Sequence, residues 1–139
     1  MSHNHSLDDN DRWPWLERVR WNSMQRLQTD DDPVTDIIVT CSALKQRYRD
    51  VIRTASFYDS AVVVRFVFLI VSEIELRRRL LGRINHYMKA DMLSGQLADL
   101  EHPAEVEGDV VVVDVEGSLK QSQELVLAKV RARLLVDLT

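Results

Sequence analysis

The sequence predicts an α/β fold with a parallel sheet, and three observations carry that prediction. Asp36 to Cys41, Ala61 to Val71 and Val110 to Asp114 are β-branched, apolar runs of the kind found in strands buried on both faces. Each run is followed by a segment whose apolar residues recur at helical spacing, and this alternation is the signature of an α/β layer. A right-handed crossover is expected at each connection. The 139 residues and 16.1 kDa suit a single domain, residues 1–139, able to bury roughly two thirds of its unfolded surface.

The first element reads as a helix from Asp11 to about Gln28. Pro14 suits a first turn, where a missing N–H costs nothing, and Asp11 stands close enough to cap it. Trp15 and Val19, with Leu16 and Leu27 beside them, form the face expected to dock on a core. Thr29 to Pro33 reads as a loop.

The second element is the Asp36 to Cys41 strand, with Ser42 placed to cap the helix behind it. Leu44, Tyr48, Val51, Ile52 and Ala55 then recur at i, i+4, i+7, i+8 and i+11. In open α/β sheets, ligands sit beyond the carboxyl ends of strands, where helix N-termini offer free N–H groups to anions. Lys45, Arg49 and Arg53 lie four apart and form a basic stripe starting at that turn. It reads either as a solvated charged face or as an anion site.

In the third element, the Ala61 to Val71 strand leads into a helix with favourable Glu73–Arg77 and Glu75–Arg79 pairs. If that helix continues, Arg79, Arg83 and His86 project from one face, either as phosphate donors or as a solvated basic surface. Met92, Leu93, Leu97 and Leu100 extend a helical pattern that stops at Pro103. The fourth element is the Val110 to Asp114 strand, a turn at Glu116 and Gly117, and a helix from Leu119 to Leu135. Asp114, at the carboxyl end of its strand, reads as a turn residue beside a ligand crevice.

Composition excludes several classes of function. Eighteen basic against 22 acidic residues, a net charge of −4, give no global reason to bind nucleic acid or an anionic membrane, so an anion site must be local. No apolar run approaches the roughly 20 residues that span a bilayer, and the N-terminus lacks the pattern of a secretory signal. The single cysteine, Cys41, permits no internal disulfide and suits a reducing, cytoplasmic setting. The four glycines, Gly82, Gly95, Gly108 and Gly117, fit neither G-x-x-x-x-G-K-[ST] nor G-x-G-x-x-G, so neither standard phosphate cradle is present. His3 and His5 read as part of an N-terminal tail. Asp8 to Asp11 lacks the glycine and distal glutamate of a calcium loop, and no metal site is assigned.

Longer motifs carry a family resemblance. Leu7-Asp-Asp-Asn-Asp-Arg-Trp-Pro-Trp-Leu16 resembles the L-x-D-x-D-R-x-P-W-L signature of gluconokinases of the thermoresistant type. Cys41-Ser-Ala-Leu-Lys-Gln-Arg-Tyr-Arg-Asp-Val-Ile-Arg53 is similar to the family's C-S-A-L-K-x-x-Y-R-D-x-L-R segment. Arg79, Arg83, His86-Tyr-Met88, Leu93, Gln96, Leu100-Glu101 and Pro103 follow the spacing of its lid, and Asp109 to Asp114 resembles its D-V-x-V-V-D strand. The resemblance implies a nucleoside-monophosphate-kinase-like three-layer fold that transfers the γ-phosphoryl group of ATP, with Mg²⁺, to the 6-hydroxyl of D-gluconate. It implies a substrate side formed by Ser42, Lys45 and Arg49. It also implies an ATP-side lid at about 79–103 carrying Arg79, Arg83, His86 and Gln96, with the loop after Asp114 approaching the adenine. Such charge suits phosphoryl transfer, which depends on positive groups around the equatorial oxygens.

The family pattern also holds a first strand, a G-x-x-x-x-G-K-[ST] loop with its helix and a D-G-D-x-x-H segment before the L-x-D-x-D-R signature, and these are absent from the sequence. Met1 aligns with an internal methionine of the pattern, so an internal start is expected. Gly95 stands where the family usually has Ser or Thr. The family's catalytic base would fall in the absent part, and no catalytic residue is assigned. Without the first strand, either the remaining strands pair anew or apolar faces stay exposed. Losing one preorganised donor costs on the order of 10²–10³ in rate, so these residues alone are expected to have little or no kinase activity. The alternative is a non-catalytic form, a homodimer or a partner of a full-length kinase, that pairs through an open sheet edge.

Overall fold

The computed structural model describes residues 8–28, 35–82 and 90–137. The expected Thr29 to Pro33 loop, Arg83 and His86 lie outside the described residues. The chain divides into two compact units, the first holding the described residues up to Val64 together with Ala90–His102, the second the remainder.

The first unit opens with α1, Asp9–Leu27. Its cap is Asp8 rather than the expected Asp11. Asp8 Oδ1 accepts from the Asp11 N–H at 2.9 Å, and Asp11 Oδ2 accepts from the Asp8 N–H at 3.2 Å, a reciprocal capping box. Starting two residues early moves Pro14 beyond the first turn, where its missing N–H removes the i+4 donor to the Asn10 carbonyl. The buried face is Arg12, Leu16 and Met24; Trp15, one residue and about 100° round from Leu16, is 44% exposed, against the expectation that it docks.

Residues 36–45 are not a strand, which corrects the second element. They join no sheet among the described residues, and Ile38 is 94% exposed. Apolar, β-branched composition suits a strand only where a neighbour satisfies its backbone, and here the two strands of the sheet pair with each other. The helix behind it, α2, spans Gln46–Arg53 and is preceded by Lys45, so Ser42 does not cap it. The Ala43 and Leu44 carbonyls, which an earlier start would place inside the helix, are bonded instead by the Arg49 side chain. Leu16, Tyr48 and Val51 form the core of this unit, with Ala43, Leu44 and Ile52 against them. A short α3, Ala55–Tyr58, follows. The last helix of the unit is α5, Ala90–Asp99, with Leu93 buried as its spacing predicts.

The second unit holds a two-stranded parallel sheet, β1 Phe66–Ile70 and β2 Val110–Asp114, in the register Phe66↔Val110 to Ile70↔Asp114. Parallel pairing and the β2 limits agree with the sequence reading. β1 is shorter than the expected Ala61 to Val71 because Asp59 holds the start of that run in a turn, accepting from Ala61 N at 2.9 Å and Val62 N at 3.0 Å. Between the strands in sequence lies α4, Glu73–Leu81, capped by Ser72 and closed at Gly82. Its Glu73–Arg77 and Glu75–Arg79 pairs form as predicted, at 2.6 and 2.7 Å. The closing helix α6, Leu119–Asp137, lies along β2, with Lys129 Nζ donating to Val112 O at 2.9 Å. Among the described residues, no helix is long and apolar enough to cross a membrane.

Candidate functional site

The first unit concentrates its charge at the start of α2. Lys45 Nζ lies 3.3 Å from Asp9 Oδ1 and 3.2 Å from Asp99 Oδ1, with its side chain only 18% exposed. The Tyr48 hydroxyl donates to that same Asp9 oxygen, and Arg47 pairs with the other. Arg12, Lys45 and Arg47 surround the Tyr48 ring at 5.8, 5.7 and 5.6 Å from its centroid. Tyr48 itself is buried.

These contacts perturb the groups in a consistent sense. The Tyr48 hydroxyl, followed by Lys45 and Arg47, holds the Asp9 carboxyl below the usual carboxylate range against its partial burial. Burial works against the Lys45 charge, yet the hydrogen bonds to Asp99 and Asp9 outweigh it and raise the ammonium above its ordinary value. Burial and the adjacent Asp9 push the Tyr48 phenol up. The arrangement therefore holds the Lys45 ammonium between the Asp9 and Asp99 side chains.

Of the three residues expected on the substrate side, Ser42 is exposed on the irregular segment, Lys45 is half-buried and Arg49 is 1% exposed. Lys45 and Arg49 do not form the continuous stripe that their spacing predicts, because Lys45 precedes the helix. Arg49 turns inward, and its Nη1 donates to the carbonyls of Ala43 at 3.2 Å, Leu44 at 3.4 Å and Glu101 at 3.2 Å. Glu101 completes the join to the segment after α5: its N–H donates to Leu44 O at 2.8 Å and its carboxylate accepts from Gln46 N at 2.7 Å. Asp9 and Asp99 are the residues that sequence reasoning missed. The D-x-x-D spacing of Asp8 and Asp11 would have revealed the cap and so put Asp9 in the first turn, but nothing in the sequence links Asp99 to Lys45.

In the second unit, Arg79 Nη2 donates to the carbonyls of Val115 at 2.6 Å and Gly117 at 2.9 Å, while its Nε bonds Glu75 at 2.7 Å. Glu116 accepts from both the N–H and the hydroxyl of Ser72, at 2.8 and 2.6 Å. The start of α4 and the loop after β2 are thereby fastened together. Asp114 is the turn residue expected, its Oδ1 accepting from Glu116 N at 2.9 Å. Gln96 is half-buried in α5 and belongs to the first unit, whereas Arg79 belongs to the second. Among the described residues, no three His, Cys, Asp or Glu side chains come together in a group that could hold a metal ion.

No family model matches the chain. A probable gluconokinase of Schizosaccharomyces pombe is 42% identical over 124 residues, 89% of this chain and 63% of its own length. One of Saccharomyces cerevisiae is 36% identical over 132 residues, 93% of this chain and 65% of its own length. The chain thus spans somewhat less than two thirds of these curated relatives. The crystal structure of a gluconokinase from Sinorhizobium meliloti superposes with a TM-score of 0.74 at 38% identity, covering 95% of this chain and 67% of that one. Identity of this level over nearly all of the chain, on a shared kinase fold, means that the chain belongs to the gluconokinase family.

Proposed function

We propose that these residues carry the sugar-acid side of a gluconokinase, an enzyme that transfers the γ-phosphoryl group of ATP to the 6-hydroxyl of D-gluconate. The observation that supports this most is the cluster of charged side chains at the start of α2. Lys45 and Arg47 gather there about Asp9, with Asp99 on Lys45, Arg12 over the Tyr48 ring and Arg49 behind them on the Glu101 carbonyl. In the family reading, Lys45 meets the anionic groups of the substrate, Ser42 offers a hydroxyl beside it, and Arg49 holds the backbone that aims both.

The ATP side falls to the 79–103 lid region, with Arg79, Arg83, His86 and Gln96, and to the loop after Asp114. Mg²⁺ and the phosphate cradle belong to the family pattern and are not supplied by the glycines of this sequence. The 139 residues by themselves therefore recognise gluconate without turning it over at a kinase's rate, in a cytoplasmic setting. A second reading, pairing with another copy or with a full-length kinase, is favoured by the sheet: among the described residues each strand has one neighbour, and Val67 and Leu69 of β1 are 41% and 53% exposed.

Calorimetric titration of the folded chain with D-gluconate, and with D-glucose as a neutral control, tests the substrate reading. Saturable heat with gluconate alone, lost in Lys45→Met, is expected. Equal response to both sugars, or no response to gluconate, would overturn it.

A further inference from the structure

Lys45 is held by two carboxylates that are not equivalent. Asp9 is the first residue of α1, where the positive end of the helix dipole favours a carboxylate, and it accepts from Lys45, Arg47 and Tyr48 together. Asp99 is the last residue of α5, where the negative end of the dipole opposes a carboxylate, and its contact with this cluster is the 3.2 Å ion pair to Lys45. Both acids are partly open to water, with side chains 40% and 35% exposed, so either has somewhere to go if displaced. Losing Asp9 would release three donors at once, whereas losing Asp99 releases one.

From this asymmetry we propose that Asp99 is a specificity-determining residue: its carboxylate occupies Lys45 until an anionic ligand displaces it, while Asp9 keeps the ammonium in position. The inference rests on the reading that Lys45 receives the anionic groups of the substrate. An incoming carboxylate replaces the Lys45–Asp99 pair with an equivalent one, so the exchange costs little. A neutral polyol offers only hydroxyls and leaves the existing pair intact, and a site that rejects ligands unable to replace a charged contact discriminates by that difference. Asp99 therefore sets how tightly a sugar acid engages Lys45 and leaves a neutral sugar of the same length nearly unaffected.

The test is calorimetric titration of the full chain with D-gluconate and with D-glucitol, its neutral counterpart. Asp99→Asn is expected to tighten gluconate by about threefold, the scale of one partly exposed ion pair. It is expected to leave glucitol nearly unchanged, because glucitol does not displace the carboxylate, and so to widen the preference for gluconate over glucitol. Asp9→Asn, which frees the ammonium to turn wholly to Asp99, is expected to weaken gluconate binding. Glu124→Gln, an exposed change of the same charge on α6, controls for net charge and is expected to change nothing. The inference is overturned if Asp99→Asn leaves gluconate affinity and the glucitol preference unchanged, or if Asp9→Asn tightens binding equally, either result in a protein whose gluconate binding is lost in Lys45→Met. Gluconate binding that survives Lys45→Met would instead sink the underlying reading of Lys45 and the inference with it.

Discussion

Arg49 spends its charge on the backbone. Its guanidinium, 1% exposed, supplies donors to the Ala43, Leu44 and Glu101 carbonyls, and these contacts keep residues 43 and 44 out of the helix. Replacing it with methionine keeps the apolar stem but leaves three carbonyls without that donor. Arg49→Met is expected to destabilise the fold by about 3 kcal/mol, read as a lower urea midpoint. Arg49→Lys restores little of it, because a single ammonium cannot reproduce the planar fork. Individual roles of this kind were poorly legible in the sequence. Spacing gave where Lys45, Arg49 and Arg53 leave the backbone, but not that Arg49 turns inward, that Lys45 precedes the helix, or that Arg53 pairs with Asp50 at 2.7 Å.

At the scale of elements, local signals decided how well the sequence could be read. β2 and α6 follow a regular apolar pattern after a clear turn, and both lie where that pattern puts them. The α1 boundary shifted because two aspartates three apart compete as caps, and the reciprocal pair won. The segment 36–41 was misread because β-branched composition records a preference for a buried ladder and says nothing of whether a partner strand exists. α4 gives a pH test. Arg78 and then Arg79, through hydrogen bonds to its carboxylate, lower the Glu75 pKa from 4.5 to about 2. A carboxyl depressed on folding contributes stability above its unfolded value, and that contribution is lost as pH falls from about 4.5 towards 2. Glu75→Gln is expected to flatten this part of the acid limb in thermal melts between pH 5 and 2, and an unchanged acid limb would contradict the pairing.

Across the whole molecule, the α/β class and parallel pairing were legible because apolar alternation reports them directly. The family was legible because its motifs run through nearly the full chain. The expected third strand was not realised, and its exposed Ile38, with the single-neighbour strands β1 and β2, follows the alternative in which apolar faces stay open. The two units carry separate parts of the reading: Lys45, Asp9 and Asp99 in one, Arg79 with the 115–117 loop in the other. The central claim is that these residues form the gluconate side of a gluconokinase and need a phosphate cradle to act. It is tested most directly by a coupled ADP-release assay, with ATP, Mg²⁺ and D-gluconate, on a chimera. The chimera adds the family segment that precedes the L-x-D-x-D-R signature, taken from the Schizosaccharomyces pombe relative, to these 139 residues. Gluconate-dependent ADP release by the chimera, lost in Lys45→Met and absent from the 139 residues alone, is the predicted result. A folded chimera that releases no ADP in response to gluconate, or equal release by the 139 residues alone, would contradict the account.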